Sequence, residues 1–428
     1  MGILVLILIL LLIISYFLNK EEILSPAVIF SGSFVYCGLW ALAYKEKWNT
    51  VLSFNTCLVI GFGVFIYVFT TTIVRMVMER NKTVSSTFSV APITPIEIDN
   101  WKLILFLLFS LIITIGYTRA LKSTTGIQSI SQAVTAYKQA SQSSTMPYSL
   151  PRWVNYGRTI VNASGFWFAY VIARNLYVQK KEKLITWAIM LVSMYCFSLT
   201  GGRSGSINQL LSLFIIYMVF KMQEKKSGRF LSIKQITLLI MAIIIGLLVF
   251  QSLGHLMGRT VKYNLFDYLA LYGGAEFHNL NLFINNRLQG IIHPFFGSQT
   301  FRNLIAPFVG SYYFDLPFIH SNGYFLGNVG TTFYSLLYDF GYMGCMIMVA
   351  IMAIFSQYYY ERIKGSPSPK KTVSIKLVFW GYIFNAFVFA FFSNWFFENT
   401  VSITFLEYLL YWFVFNLIFC YKVRFKTK

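Results

Sequence analysis

The chain is a relay of apolar segments, most of them long enough to cross a bilayer, interrupted once at length, from about Ser252 to Gly330. A hydrocarbon core about 30 Å thick needs roughly 20 mostly apolar residues in a spanning helix. Gly2–Leu18, Gln235–Phe250 and Val401–Cys420 meet or nearly meet that length. Backbone groups in lipid must find partners within their own segment, so such runs are helices, and no strand pattern competes with them. Eleven helices are expected, centred near Leu10, Phe34, Val64, Leu108, Phe166, Leu191, Phe214, Ile243, Met348, Ala386 and Tyr411. The expected fold is an all-α polytopic integral membrane protein. Residues 1–252 hold helices one to eight with short loops and one outer loop at 118–153. Residues 253–330 form a large outer loop, and 331–428 hold helices nine to eleven and a basic tail. Gly2–Leu18 lacks a basic leader and a small-residue cleavage site, so it reads as a retained first helix.

Composition agrees. Hydrophobic residues make up 57% and charged residues 12%, where a soluble domain carries about 25% charge; the mean hydropathy is +0.61. The net charge of +20 is not a nucleic-acid signature, because the cations sit in short tracts between apolar segments, where they set orientation. Lys180, Lys181 and Lys183, the tract from Lys221 to Lys234, Arg362 to Lys371, the tail with Lys422, Arg424, Lys426 and Lys428, and Arg75, Arg80 and Lys82 are all expected in the cytoplasm. Eleven crossings then leave the N-terminus outside and the C-terminus inside. Segments 120–152, 201–204, 254–330 and 394–400 face out; the first is either a short amphipathic helix or a mobile loop. The cytoplasmic loops hold no Gly-rich phosphate loop and no Asp-x-Asp pair. Use of ATP or a nucleotide sugar on that side is excluded as the leading reading, and a substrate is expected to arrive already activated, in the membrane or on its outer face. The five cysteines lie in apolar segments without metal-ligand spacing and read as small buried hydrophobes. No metal or cofactor is expected.

Three constellations carry chemistry. Thr200-Gly201-Gly202-Arg203-Ser204-Gly205 sits between two helices. An arginine close to hydrocarbon is costly without a partner, and its planar fork suits a phosphate or diphosphate; a tight interfacial turn with a snorkelling arginine is the plainer alternative. The second, Glu276-Phe277-His278-Asn279-Leu280-Asn281, supplies an acid, an imidazole and amides, and either Glu276 or His278 suits a general base. The third runs from His320-Ser321-Asn322 through Asn328 to Asp339. Asp339 opens a spanning run, where a carboxylate is expensive unless paired; it is expected to orient a histidine, hold an arginine or cap the helix. Arg158 and Arg287 are further cations on the same side, against the positive-inside bias.

The Gly201-Gly202-Arg203-Ser204-Gly205 turn between two central helices resembles that of the O-antigen polymerases of the Wzy type. So does a large outer loop with Tyr272-Gly273-Gly274 and Asn279-Leu280-Asn281, followed by Phe296-Gly297-Ser298-Gln299-Thr300-Phe301. Gly327-Asn328-Val329-Gly330-Thr331 to Asp339-Phe340-Gly341-Tyr342-Met343-Gly344 resembles that family's entry into its next helix. The likeness covers nearly the whole chain in architecture and a small part of it in motifs.

The resemblance implies a GT-C-like glycosyltransferase in the inner membrane of a bacterium. It would join oligosaccharide repeat units carried on undecaprenyl diphosphate at the periplasmic face, in lipopolysaccharide biosynthesis, alongside a flippase and a chain-length regulator. The related O-antigen ligases use a histidine before a late helix, a role carried here to His320. On this reading Arg203, helped by Arg158 or Arg287, holds the diphosphate, with Gly202, Ser204, Asn279, Asn328 and Asp339 in support. Glu276, His278 or His320 activates the acceptor hydroxyl, and attack in line with the leaving diphosphate inverts the sugar carbon. A flippase for the same lipid is the competing class, although no internal repeat is visible; a ligase is a third.

Overall fold

The computed structural model describes residues 1–82, 93–141, 149–202, 204–225, 263–288, 295–309, 317–365 and 371–421. The helices are α1 (Gly2–Leu18), α2 (Pro26–Ala43), α3 (Phe54–Lys82), α4 (Asn100–Thr125), α5 (Ile130–Ser141), α6 (Arg152–Gln179), α7 (Leu184–Ser198) and α8 (Ser204–Lys225). After a gap in the described residues come α9 (Leu265–Gly273), α10 (Ala275–Asn286), α11 (Arg302–Val309), a hairpin of β1 (Ile319–Ser321) and β2 (Tyr324–Gly327), α12 (Thr331–Gly365), α13 (Ile375–Val388), α14 (Trp395–Thr400) and α15 (Ile403–Phe415). Ten of the eleven expected helix centres fall in these helices; the one near Ile243 lies outside the described residues. Six described helices are long and apolar enough to cross a membrane, and α1, α7 and α13 are shorter apolar ones. The protein is an all-α, membrane-embedded bundle.

Local signals set the helix ends. Ser25 accepts the Val28 N–H at 3.4 Å ahead of Pro26 at the first helical position. Asn264 and Ser402 cap α9 and α15 in the same way, and Gly126, at φ 72°, closes α4.

Two helices form the centre. α6 is buried without a break from Val161 to Asn175, and α13 from Leu377 to Phe387. A helix covered all round belongs to an interior. Arg174 on α6 donates to the Thr94 and Thr372 carbonyls, and the Asn162 backbone carbonyl accepts from Gln209. By contrast α1, α3 and α4 expose stripes such as Leu6, Leu10 and Phe17, Phe62, Phe65 and Phe69, and Leu105, Leu108 and Ile112. Patches of that size suit hydrocarbon, not water. The bundle has two halves. α1, α2, α3 and α12 carry α9 and α10; α4, α6, α7, α8 and α15 carry α5; α13 touches both groups.

Membrane helices consecutive in the chain alternate in direction. Ser15 meets Ser31 at one end of the α1–α2 pair, and Val5 meets Gly38 at the other. The alternation gathers Lys20, Arg75, Lys180, Lys183 and Lys364 on one face, which we call the basic face. There Arg75 donates to Glu79 at 3.0 Å and Glu22 at 3.4 Å, while Lys364 and Tyr360 also reach Glu22. Arg75 is 2% exposed and Glu22 4%. Removing one member of such a buried set typically costs about 3–5 kcal/mol, so this network fixes the α1–α2 turn to α3 and α12.

On the opposite face, two expected loops turn out to be folded. Segment 120–152 includes the end of α4 and amphipathic α5, the helical one of its two expected forms. The described part of 253–330 is not a free loop. α10 packs on α2, α3 and α12 with Phe277, Leu280 and Phe283 at most 2% exposed, a three-residue spacing that makes one helix face apolar. The approach is close: a Cβ on Gly274 would stand 2.6 Å from the Ala41 backbone nitrogen.

Candidate functional site

The described polar groups on the face opposite the basic one fall into two clusters, one in each half of the bundle. In the α6 half, Arg158 lies on the second turn of α6 and donates to the Tyr117 hydroxyl at 3.3 Å, with its guanidinium 5.4 Å from that ring's centre. Tyr117 is fully buried and passes the contact on, donating to the Leu199 carbonyl at 3.2 Å. Two residues later the Gly201 carbonyl accepts from Lys138 of α5 at 2.9 Å. Gly201 is at φ 78°, and a Cβ there would stand 2.8 Å from the Lys138 side chain. Glycine therefore allows both the turn and the lysine. Gly202 and Ser204 continue the turn into α8; Arg203 itself lies outside the described residues. The structure thus brings Arg158 to the turn that precedes Arg203, through Tyr117 and Lys138, neither of which the sequence reading singled out.

Arg158 has no carboxylate within ion-pair distance and no hydrogen-bond partner other than Tyr117 among the described residues. Tyr137, Tyr408, Glu407 and Cys196 also lie in its field. An arginine on the second turn of the buried central helix, half-buried and walled by tyrosine, has donors left for an anion.

The α10 half is arranged differently. Glu276 is 0% exposed, with the Cys37 thiol 3.9 Å from one carboxylate oxygen. Burial holds its carboxyl well above the usual range. His278 is 5% exposed and bonded through Nδ1 to Thr50 at 2.8 Å; burial lowers its basicity. The Asn281 carboxamide oxygen accepts from Ser53 N–H at 2.8 Å and Thr56 Oγ1 at 2.9 Å, and its nitrogen donates to the Val51 carbonyl at 3.0 Å. Asn279 donates to the Leu326 and Val329 carbonyls at 3.0 and 2.9 Å. Lys47 beside Asp267, at 2.9 Å, holds that carboxyl below its usual range, and Tyr44 donates to the same oxygen. The hairpin adds Ser321 to the Trp48 carbonyl and Asn322 to the Lys47 carbonyl. Together these bonds fasten the α2–α3 connection to α9, α10 and the hairpin.

His320 lies apart on β1, exposed and edge-on to Phe325 at 5.0 Å. Asn279, Arg287 and Asn328 do meet, lining a narrow cleft with Phe283 and Tyr334. The cleft has about 20 Å³ of space, enough for one or two waters but not for a sugar. Asp339 takes a use outside the three expected. Its carboxylate accepts from Gln299 N–H at 3.1 Å, Thr300 N–H at 2.6 Å and the Ser298 hydroxyl at 3.3 Å, and neither a histidine nor an arginine is among those partners. It ties segment 298–300 to α12 just before the break at Gly341, where φ is 63°. The neighbouring pair of Arg302 and Glu398, 2.9 Å apart, joins α11 to α14; burial raises the Glu398 carboxyl while Arg302 opposes it.

These features define a helical membrane protein with two polar clusters on one face: one tied mostly into the fold, with Glu276 Oε1, His278 Nε2 and Asn279 Oδ1 buried and without a hydrogen bond among the described residues, and one built around a half-buried arginine with free donors. No family model, curated protein or solved structure matches the chain.

Proposed function

We propose that the chain is a bacterial inner-membrane glycosyltransferase of the O-antigen polymerase kind. It moves an oligosaccharide from undecaprenyl diphosphate to the non-reducing end of the next lipid-linked unit. One observation carries the reading: Arg158, on a helix that runs through the centre of the bundle, has no acidic partner among the described residues and is linked through Tyr117 to the Leu199 carbonyl, two residues before the Gly201–Gly202 turn. The basic face is cytoplasmic by the positive-inside rule, so this cluster faces the periplasm, where a lipid diphosphate presents its headgroup at that depth.

In this reading Arg158 and Arg203 neutralise the charge that grows on the diphosphate as the bond to the sugar breaks. The acceptor oxygen attacks the sugar carbon from the side opposite the diphosphate and inverts it. A flippase delivers the unit beforehand and a chain-length regulator limits the product. Glu276 and His278, packed inside the α10 half, and Arg287, in the narrow cleft there, are not needed for this step.

The test is a polysaccharide ladder from a deletion strain carrying Arg158→Ala or Arg158→Lys. Loss of one preorganised charge contact lowers turnover about 10²–10³-fold, so Arg158→Ala should leave single-unit glycolipid outside the membrane, with normal protein insertion. Arg158→Lys should give partial chains. A full ladder from Arg158→Ala removes the arginine from the reaction, and units trapped on the cytoplasmic side would identify a flippase instead.

A further inference from the structure

α15 contains a single charged residue, Glu407, in an otherwise apolar and aromatic run. A carboxylate there is costly unless it has work to do. Glu407 is half-buried and has neither a hydrogen-bond nor an ion-pair partner among the described residues. Its place on the helix is informative. Phe405, Tyr408, Trp412, Phe415 and Phe419 point into the bundle, and Leu406, Leu410, Phe413 and Leu417 form the exposed stripe. At about 100° per residue, Glu407 falls on the flank between the two.

The register against α6 sets its depth. Trp412 Nε1 donates to the Ala163 carbonyl at 2.9 Å, and α6 and α15 run in the same direction from the face opposite the basic one. Five residues back along each helix are Glu407 and Arg158. Both therefore lie at one level, about 7.5 Å toward that face from the Trp412 bond at 1.5 Å per residue. The Arg158 charge acts on Glu407 and on the intervening Tyr408, yet the two side chains do not form an ion pair. A half-buried cation and a half-buried anion thus share one level on two packed helices, neither paired with the other, with Tyr408 between them.

We propose that Glu407 is the general base of the site, accepting the proton of the acceptor sugar hydroxyl while Arg158 holds the diphosphate. This rests on the anion site at Arg158. The hydroxyl O–H bond breaks to the Glu407 carboxylate, and the freed oxygen forms the new bond to the sugar carbon. The old carbon–oxygen bond breaks with its electron pair going to the diphosphate. Glu407 then returns its proton to water.

Two measurements on the full chain separate this from the anion site. Binding of undecaprenyl diphosphate to the purified protein tests the arginine, and the polysaccharide ladder in the deletion strain tests the carboxylate. Glu407→Gln should bind undecaprenyl diphosphate within about twofold of wild type while polymer falls about 10²–10⁴-fold; Glu407→Asp should restore part of the ladder. A normal ladder from Glu407→Gln overturns the proposal and leaves the anion site standing. Loss of binding as well as polymer in Glu407→Gln would make Glu407 a structural contact, which also overturns it. If Arg158→Ala binds undecaprenyl diphosphate as wild type does, the anion site itself fails.

Discussion

The two clusters on the face opposite the basic one contain similar side chains and use them oppositely. Around α10, His278, Asn279, Asn281 and Asp267 each have protein partners, and Glu276 lies against Cys37 beyond the reach of solvent. Around α6, Arg158 keeps donors unengaged and Glu407 has no hydrogen-bond partner among the described residues. The lesson is that density of polar residues is a poor guide to a site in such a protein. A bundle whose outside is lipid must use its polar side chains to fasten connections wherever these fold back over the helix ends. The residues left for a substrate are those whose unsatisfied polar atoms are not sealed in the interior; Glu276 Oε1, His278 Nε2 and Asn279 Oδ1 are unsatisfied too, but buried.

That contrast can be broken by variants that ought to act on one property only. Arg158→Met should have the largest effect, lowering transfer about 10²–10³-fold while shifting the denaturation midpoint little, as read by a ladder gel and thermal unfolding of the purified protein in detergent. Asn281→Ala should do the reverse. It leaves the Ser53 N–H and the Val51 carbonyl without their side-chain partner and removes one of the two bonds of the Thr56 hydroxyl, a loss of about 1–3 kcal/mol per group left buried and unsatisfied; transfer per folded molecule should stay near wild type. An Asn281→Ala protein as stable as wild type would show that the α10 cluster does not hold the loop.

The pH dependence should also separate the residues of that cluster. His278 has a lowered folded value, so its contribution is complete above the ordinary histidine range, about 6.5, and is lost as pH falls below it. Glu276 has a raised folded value, so its contribution is complete below the ordinary carboxyl range, about 4.3, and is lost as pH rises. Unfolding midpoints measured from pH 5 to 8 should rise with pH less steeply in His278→Gln than in wild type. Glu276→Gln should be at least as stable as wild type at neutral pH and keep its activity. Loss of activity in a stable Glu276→Gln protein would return the base to α10. The smallest effect is expected from Asp267→Asn. Its partner Lys47 is exposed, and surface pairs contribute little, so a slightly lower midpoint at neutral pH should converge with wild type as pH falls below the carboxyl range.

The helices were legible because runs near 20 apolar residues leave the chain few alternatives. The order within the interruption was harder to read. In α10 the acid, imidazole and amides drew the eye, while Phe277, Leu280 and Phe283, at three-residue spacing, signalled that the same helix is buried. Asp339 was visible as a costly carboxylate, but its partners are backbone N–H groups some 40 residues earlier, and backbone partners leave no mark in a sequence. Arg158 stood out for the reason that still recommends it, an arginine beside a spanning run. Glu407 sends the same signal by being the one charge in α15, and the rule applied to Asp339 would have found it.

The account turns on where the headgroup of the lipid carrier sits. A structure of the full chain with undecaprenyl diphosphate in a lipid nanodisc decides it. The diphosphate is predicted within hydrogen-bonding distance of the Arg158 guanidinium, beside the Gly201–Gly202 turn. A diphosphate seated instead in the cleft of Asn279, Arg287 and Asn328, with Arg158 still held only by Tyr117, would contradict the account.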